Sequence, residues 1–196
     1  SVLAQNSHPG APHIILLPEV SFNQQKFLAK VKRTVKENGF CVVVASEGIK
    51  DSKGKFLAES NSKDAFGHSQ LGGVAPRLAE VINKKLKLKN HWAVADYLQR
   101  SASHLSSGVD RKQAYEVGKK AVKYAAEGLN GIMPIIKRTN NAPYKWKVIP
   151  APLSKIANVE KKLPASFITK DGFGLTKKAK EYFQPLIEGK DENTKK

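Results

Sequence analysis

Cysteine is nearly absent. The 196-residue chain holds one, Cys41, inside the apolar run Phe40–Ala45. No internal disulfide can form, and a reducing, intracellular compartment is expected. No Cys/His cluster has metal-ligand spacing. Arginine is scarce, five residues against twenty-nine lysines, and acidic residues are half as numerous as basic ones, which leaves a net charge of +17. No apolar run approaches the roughly 18 residues of a membrane span. The stretch from Ser1 to Pro12 has neither a basic n-region nor an apolar h-region, so no secretory signal is expected. The phosphate-loop spacing Gly-x-x-x-x-Gly-Lys-Ser/Thr and the nucleophile elbow Gly-x-Ser-x-Gly are both missing.

A strongly basic chain invites a nucleic-acid reading. The lysines, however, are spread over helical segments: Lys26, Lys30, Lys32 and Lys36; Lys84, Lys85, Lys87 and Lys89; Lys119, Lys120 and Lys123. They are not interleaved with aromatics, whereas base readout and stacking favour arginine and aromatic side chains. A solvated lysine-rich surface is the reading adopted, with neither nucleic acid nor membrane as partner. Such a field would also steer a small polyanionic substrate.

Length and ordinary apolar content point to one domain, or a large part of one, with a substantial core. The continuous run His13–Leu17 predicts a strand covered on both faces, stopping at Pro18-Glu19. Ser21 is placed to cap a helix carrying Phe27, Leu28, Val31 and Val35, with Gly39 as its stop. Phe40–Ala45 is a second buried strand, so strand, helix and strand make a parallel crossover unit. Residues 49–64 read as a polar surface loop with a hairpin around Lys53-Gly54. Phe66–Gly73 leads into a helix over 74–88, and a third strand over 91–96 follows. After a serine- and glycine-rich loop, Asp110 is expected to cap a helix over 111–127 with Ala114, Val117, Ala121, Val122 and Ala125 on one face. Ile132–Ile136, with Pro134, reads as an edge or bulged strand, and Tyr144–Ile149 alternates like an antiparallel strand with one wet face. A short helix is expected near Leu153–Val159 and a last one over Thr176–Tyr182.

Three of the expected parallel strands end in polar groups: Pro18-Glu19, Ser46-Glu47-Gly48 and Asp96-Tyr97-Leu98-Gln99-Arg100. Open α/β sheets bind ligands outside the carboxyl ends of their strands. Carboxylates accept hydrogen bonds from sugar hydroxyls, and the planar fork of Arg100 suits a phosphate. Together they sketch a phosphosugar site, although any one of them alone is more often a turn or cap residue. Phe66–Gly73, with His68 and two adjacent glycines before a helix, could cradle an anion or simply make a tight turn. His104 lies among Ser101, Ser103, Ser106 and Ser107, but without an elbow a serine hydrolase carries little weight. Asp171-Gly172-Phe173-Gly174 reads as a turn.

The ordered set HIILLPEVSF, VVVASEGI, DAFGHSQLGG, ADYLQRSASH and VDRKQAYEVGKKAV resembles the C-terminal half of a phosphofructokinase, nearest the pyrophosphate-dependent branch. The resemblance runs from Ser1 to the segment Tyr182–Ile187. It implies an α/β fold of Rossmann-like, three-layer α/β/α type with a mostly parallel sheet. Residues 1–187 would be a partial phosphofructokinase on the substrate-binding side, and 188–196 a charged tail. The implied activity is phosphoryl transfer from pyrophosphate to the 1-hydroxyl of fructose 6-phosphate in glycolysis, with Mg2+, by a cytoplasmic enzyme that is a homo-oligomer at full length. Glu47 falls where the family's glutamate contacts the sugar. Tyr97, Leu98, Gln99 and Arg100 fall where the substrate and its 6-phosphate are held. ATP-using relatives carry a histidine at the position of Tyr97 and, where His91 aligns, an arginine that reaches the neighbouring subunit. The family's glycine-rich donor loop, Thr-Ile-Asp-Asn-Asp catalytic segment and Met-Gly-Arg loop do not occur in these 196 residues. The catalytic base and the magnesium ligands are therefore unassigned, and the chain alone is expected to be inactive. Two alternatives stay open: an ATP-dependent 6-phosphofructokinase fragment, and a non-catalytic basic binding or regulatory module.

Overall fold

The computed structural model describes residues 2–6, 10–57, 59–63, 69–71, 73–95 and 97–188, with backbone only at 6, 59–63, 69–71, 99, 100 and 103. The chain divides into two compact units, Ser1–Asp96 with Leu163–Lys180, and Tyr97–Lys162 with Glu181–Lys196. No helix among the described residues is long and apolar enough to cross a membrane.

The first unit is built on strand β1 (Ile14–Leu16), buried throughout. It pairs in parallel with β2 (Val43–Ala45), Ile14 opposite Val43 and Leu16 opposite Ala45. Helix α1 (Gln24–Asn38) makes the crossover. Its cap is Asn23 rather than Ser21. Asn23 has the extended backbone a cap needs, and its side chain accepts the Lys26 N–H at 3.0 Å. Phe27 and Val31 of α1 pack with Ile14, Leu16 and Ile49, and with Val74 and Leu78 of helix α2 (Val74–Leu86), to form the core. The second edge of β1 is covered too, because the Ile15 N–H donates to the Phe173 carbonyl at 2.9 Å.

Phe173 belongs to the expected turn at Asp171–Gly174. There Asp171 Oδ1 accepts from Thr169 Oγ1 at 2.7 Å and from the Phe173 N–H at 3.1 Å. Its other oxygen meets Lys30 Nζ at 3.0 Å. Gly172 has φ +75, and a Cβ there would stand 3.0 Å from Val20 Cγ1, so any other residue would be strained in its backbone and would press on Val20.

The hairpin expected near Lys53-Gly54 is present as a bridge between Lys50 and Phe56, with Asp51 Oδ1 accepting the N–H groups of Lys53 and Lys55. Strands β3 (Glu59–Lys63) and β4 (Ser69–Leu71) form an antiparallel pair that the sequence pattern missed, since Glu59–Lys63 is polar throughout. His68 and most of the Phe66–Gly73 lead-in lie outside the described residues.

The third strand is not formed. Residues 91–95 are exposed and belong to no ladder among the described residues, and Asp96 is not described. A continuous apolar run suits a doubly covered strand, but a strand also needs a hydrogen-bonded neighbour. The mostly parallel sheet is consequently observed only in part: among the described residues β1–β2 is parallel, while β3–β4 and β5–β6 are antiparallel.

In the second unit β5 (Ile132–Asn141) and β6 (Tyr144–Pro152) form one long hairpin, with an irregularity between Arg138 and Asn140. The Arg138 guanidinium lies over the Tyr144 ring at 4.5 Å and the Tyr182 ring at 3.8 Å. It also donates to the Tyr182 carbonyl at 2.8 Å and to Asn141 Oδ1 at 3.2 Å. Short helix α3 (Leu98–Ser101) precedes α4 (Gly108–Ala126). Ser107, not Asp110, caps α4. Its Oγ accepts the Asp110 N–H at 3.0 Å and donates to the Leu186 carbonyl at 2.6 Å. The covered stripe of α4 runs through Gln113, Glu116, Val117, Lys120 and Tyr124, about one residue out of phase with the expected one, and Ala114, Ala121, Val122 and Ala125 are exposed. The phase follows Gln113, whose Nε2 donates to the Tyr144 hydroxyl at 2.7 Å. The terminal helix, α5 (Lys177–Phe183), lies where expected.

Two outcomes follow from these contacts. Burial raises the Asp171 carboxyl, but its hydrogen bonds from Thr169 and Phe173 and the charge of Lys30 outweigh this and bring it from 3.8 to about 2. With the folded value below the unfolded one, the stabilisation is present above pH 3.8 and lost as pH falls towards about 2. Because the side chain is 49% exposed, the loss is discounted to about 1 kcal/mol or less. Urea melts of the wild type and Asp171→Asn should differ less at pH 2 than at pH 5; a constant difference would contradict the assignment. Arg138→Lys keeps the charge but loses the double stacking, and should lower stability by about 1 kcal/mol. Thermal melts that coincide with wild type would show that the stacking contributes nothing.

Candidate functional site

The end of β2 is pinned before the chain reaches Glu47. The Ser46 N–H donates to the Leu16 carbonyl at 3.2 Å, and Ser46 Oγ accepts the Gly48 N–H at 3.3 Å. Glu47 is half-buried, and its Oε2 accepts the N–H of Val74, the first residue of α2, at 3.3 Å. The α2 cap position is Gly73, with φ 90 and ψ 20 and no side-chain oxygen to offer. A carboxylate 27 residues away thus takes the place of a capping side chain and sits at the positive end of the helix. Gly73 is required by its left-handed backbone, which costs other residues about 1 kcal/mol. One oxygen of Glu47 is engaged with the helix, and a carboxylate keeps further acceptor sites for ligand hydroxyls. Glu47 also lines a cleft of about 560 Å³ formed by β2, α2 and residues 90–95.

Glu19, at the end of β1, has a different occupation: its Oε1 accepts the Leu163 N–H at 2.9 Å. Tyr97 and Leu98 are 66% and 69% exposed. The Tyr97 carbonyl accepts from the N–H and Oγ of Ser101, which closes α3 around Gln99 and Arg100, whose backbones alone are described. Glu47 belongs to the first unit and Tyr97–Arg100 to the second. The hydroxyls of Ser101 and Ser107 both donate to backbone carbonyls, leaving neither poised as a nucleophile for His104. Burial pushes the half-buried Cys41 thiol up, which disfavours a thiolate there.

The role of α2 in holding Glu47 was missed in the sequence. The signal was there: Gly72-Gly73 precedes an apolar helix with no Ser, Thr, Asp or Asn at the cap, so the cap has to come from elsewhere. Among the described residues no group of three or more His, Cys, Asp or Glu side chains is placed to hold a metal ion. The described residues offer no such group for magnesium, and no step through magnesium is derived from them.

Residues 3–125 match the phosphofructokinase family. The chain belongs to that family. It is 56% identical over 188 residues to the pyrophosphate–fructose 6-phosphate 1-phosphotransferase of Xanthomonas campestris, a match covering 95% of this chain and 45% of that protein. The crystal structure of the pyrophosphate-dependent phosphofructokinase from Nitrosospira multiformis superposes with a TM-score of 0.75 at 52% identity, covering 91% of this chain and 41% of the other. That from Marinobacter aquaeolei gives 0.75 at 45% identity, covering 92% and 42%. This phosphofructokinase-family chain therefore spans less than half the length of the relatives it matches.

The capping role of Glu47 can be checked on stability alone. Glu47→Ala removes the acceptor for Val74 and should cost about 1 kcal/mol. Glu47→Gln keeps an acceptor oxygen and should cost less than half of that. Denaturant midpoints that fall equally for both variants, or for neither, would sink the assignment.

Proposed function

We propose that this chain is the substrate-binding portion of a pyrophosphate-dependent phosphofructokinase, which transfers a phosphoryl group to the 1-hydroxyl of fructose 6-phosphate. The observation that carries the proposal is the 56% identity along 95% of the chain to a protein named for that reaction. Glu47, held at the N-terminus of α2, would accept hydrogen bonds from furanose hydroxyls. Arg100 would neutralise the 6-phosphate, and Tyr97, Leu98 and Gln99 would shape the sugar's surroundings. Such groups accelerate phosphoryl transfer by positioning and by electrostatic stabilisation rather than covalent chemistry. The lysine-rich field would draw in both polyanionic substrates.

The same proposal includes pyrophosphate rather than ATP as donor, Mg2+ as cofactor, a cytoplasmic glycolytic setting and a homo-oligomeric full-length enzyme. It also includes a Rossmann-like three-layer α/β/α arrangement with a mostly parallel sheet in that enzyme, with 1–187 as one functional portion and 188–196 as a charged tail. The catalytic base and metal ligands would come from sequence outside this chain, so the chain alone should show no turnover in a coupled assay. Calorimetry supplies the decisive comparison. Fructose 6-phosphate should bind, and Arg100→Ala should weaken binding by about 1.5–3 kcal/mol through loss of a charge-assisted contact. An affinity unchanged in Arg100→Ala would rule out the assigned role.

A further inference from the structure

An asparagine followed by glycine can react with its own backbone, because no Cβ hinders the approach of the glycine nitrogen to the side-chain amide. The chain holds two such pairs, Asn38-Gly39 and Asn130-Gly131. All four residues are exposed. Both glycines have positive φ, 80 and 65, and a Cβ on either would meet nothing within 4 Å. Exposure and crowding therefore do not distinguish the two pairs. Hydrogen bonding does.

At the end of α1 the Gly39 N–H donates to the Val35 carbonyl at 2.8 Å and closes the helix. The Asn38 side chain turns back along that helix, its Nδ2 donating to the Thr34 carbonyl at 3.1 Å. Nitrogen and amide carbon are each committed elsewhere. Between α4 and β5 the arrangement is reversed. The Gly131 N–H donates to Oδ1 of Asn130 itself at 2.8 Å, and to no backbone carbonyl among the described residues. The Gly131 carbonyl accepts the Leu153 N–H at 2.8 Å, which anchors the glycine beside the β5–β6 hairpin. An oxygen bonded to that nitrogen brings its own carbon, Cγ, towards the near-attack range of about 3–3.5 Å. We propose that Asn130 is a site of spontaneous modification in the folded protein, deamidating through a succinimide closed by the Gly131 nitrogen, while Asn38 is protected by the end of α1.

The step needs only water. Hydroxide takes the proton of the Gly131 amide, and the nitrogen attacks Cγ of Asn130. The N–Cγ bond forms, the Cγ–Nδ2 bond breaks, and Nδ2 takes a proton from water and leaves as ammonia. The succinimide then adds one water and opens at either carbonyl, giving aspartate or isoaspartate. Either product lowers the net charge of +17 by one. Isoaspartate also adds a main-chain methylene just ahead of β5, where Gly131 is tied to Leu153. The inference goes beyond the sugar-phosphate reading and does not depend on it.

The test uses the whole chain, incubated folded at mildly alkaline pH and sampled over days. Trypsin cuts after Lys36 and Lys50 and after Lys123 and Lys137, so each asparagine falls on its own peptide, free of any other asparagine. Deamidation is read by mass, and isoaspartate by labelling with isoaspartyl methyltransferase. Asn130 should convert at least about fivefold faster than Asn38, whose reaction must first break the Gly39–Val35 bond. In concentrated urea both geometries are lost, and the two rates should come within about twofold of each other. Asn130→Gln, which would need a larger ring, should abolish modification of its peptide and leave that of Asn38 unchanged. The proposal is overturned if Asn130 stays intact, if Asn38 converts as fast in the folded chain, or if the same preference persists in urea, which would assign it to sequence rather than geometry.

Discussion

A parallel pair of strands has to be covered on both faces, and the first unit is arranged around that requirement. Phe27 and Val31 approach from α1, Val74 and Leu78 from α2, and Ile49 follows the end of β2. Full burial of a side chain such as Phe27, which is 0% exposed, contributes about 1.5–3 kcal/mol by area. A half-exposed ion pair such as Lys30–Asp171 contributes about 1 kcal/mol at most. Apolar coverage therefore sets the arrangement, and the ion pair refines where the 168–175 loop lies.

The coverage also prepares the candidate site. Packing α2 against β2 brings the N-terminus of that helix to the carboxyl end of the strand, where Glu47 meets the Val74 N–H. The strand supplies the carboxylate and the helix supplies donor and dipole, so the group is oriented before any ligand arrives. Left-handed Gly73 is the residue that lets the chain enter the helix at that angle.

Patterning alone made β1, α1, β2, α2, the Tyr144 strand and the Asp171 turn legible, because in each the local preference and the burial agree. The errors arose where a neighbour decides. Ser21 and Asp110 are both good cap residues, but Asn23 and Ser107 hold the extended backbone at the right position. The phase of α4 is set by a polar contact, Gln113 to Tyr144, that an apolar count cannot see. Residues 91–95 look like a strand and are not one here, since ladder partners cannot be read from a single segment. The polar strand Glu59–Lys63 fails in the opposite sense, pairing without any apolar alternation. For the site, the pattern marked Glu47 but not what holds it, because the contact spans 27 residues.

The first unit is discontinuous, and the later piece is not ornamental. Leu163–Lys180 returns to it and brings Phe173 to the edge of β1, Asp171 to Lys30 and the Leu163 N–H to Glu19. On the ribosome, β1, α1 and β2 emerge long before that stretch is made. The β1–β2 sheet must therefore wait, with one flank bare, until residues 163–180 have left the exit tunnel. A ribosome stalled anywhere between residues 97 and 162 would carry the first unit with residues 1–96 made and its sheet still unsealed.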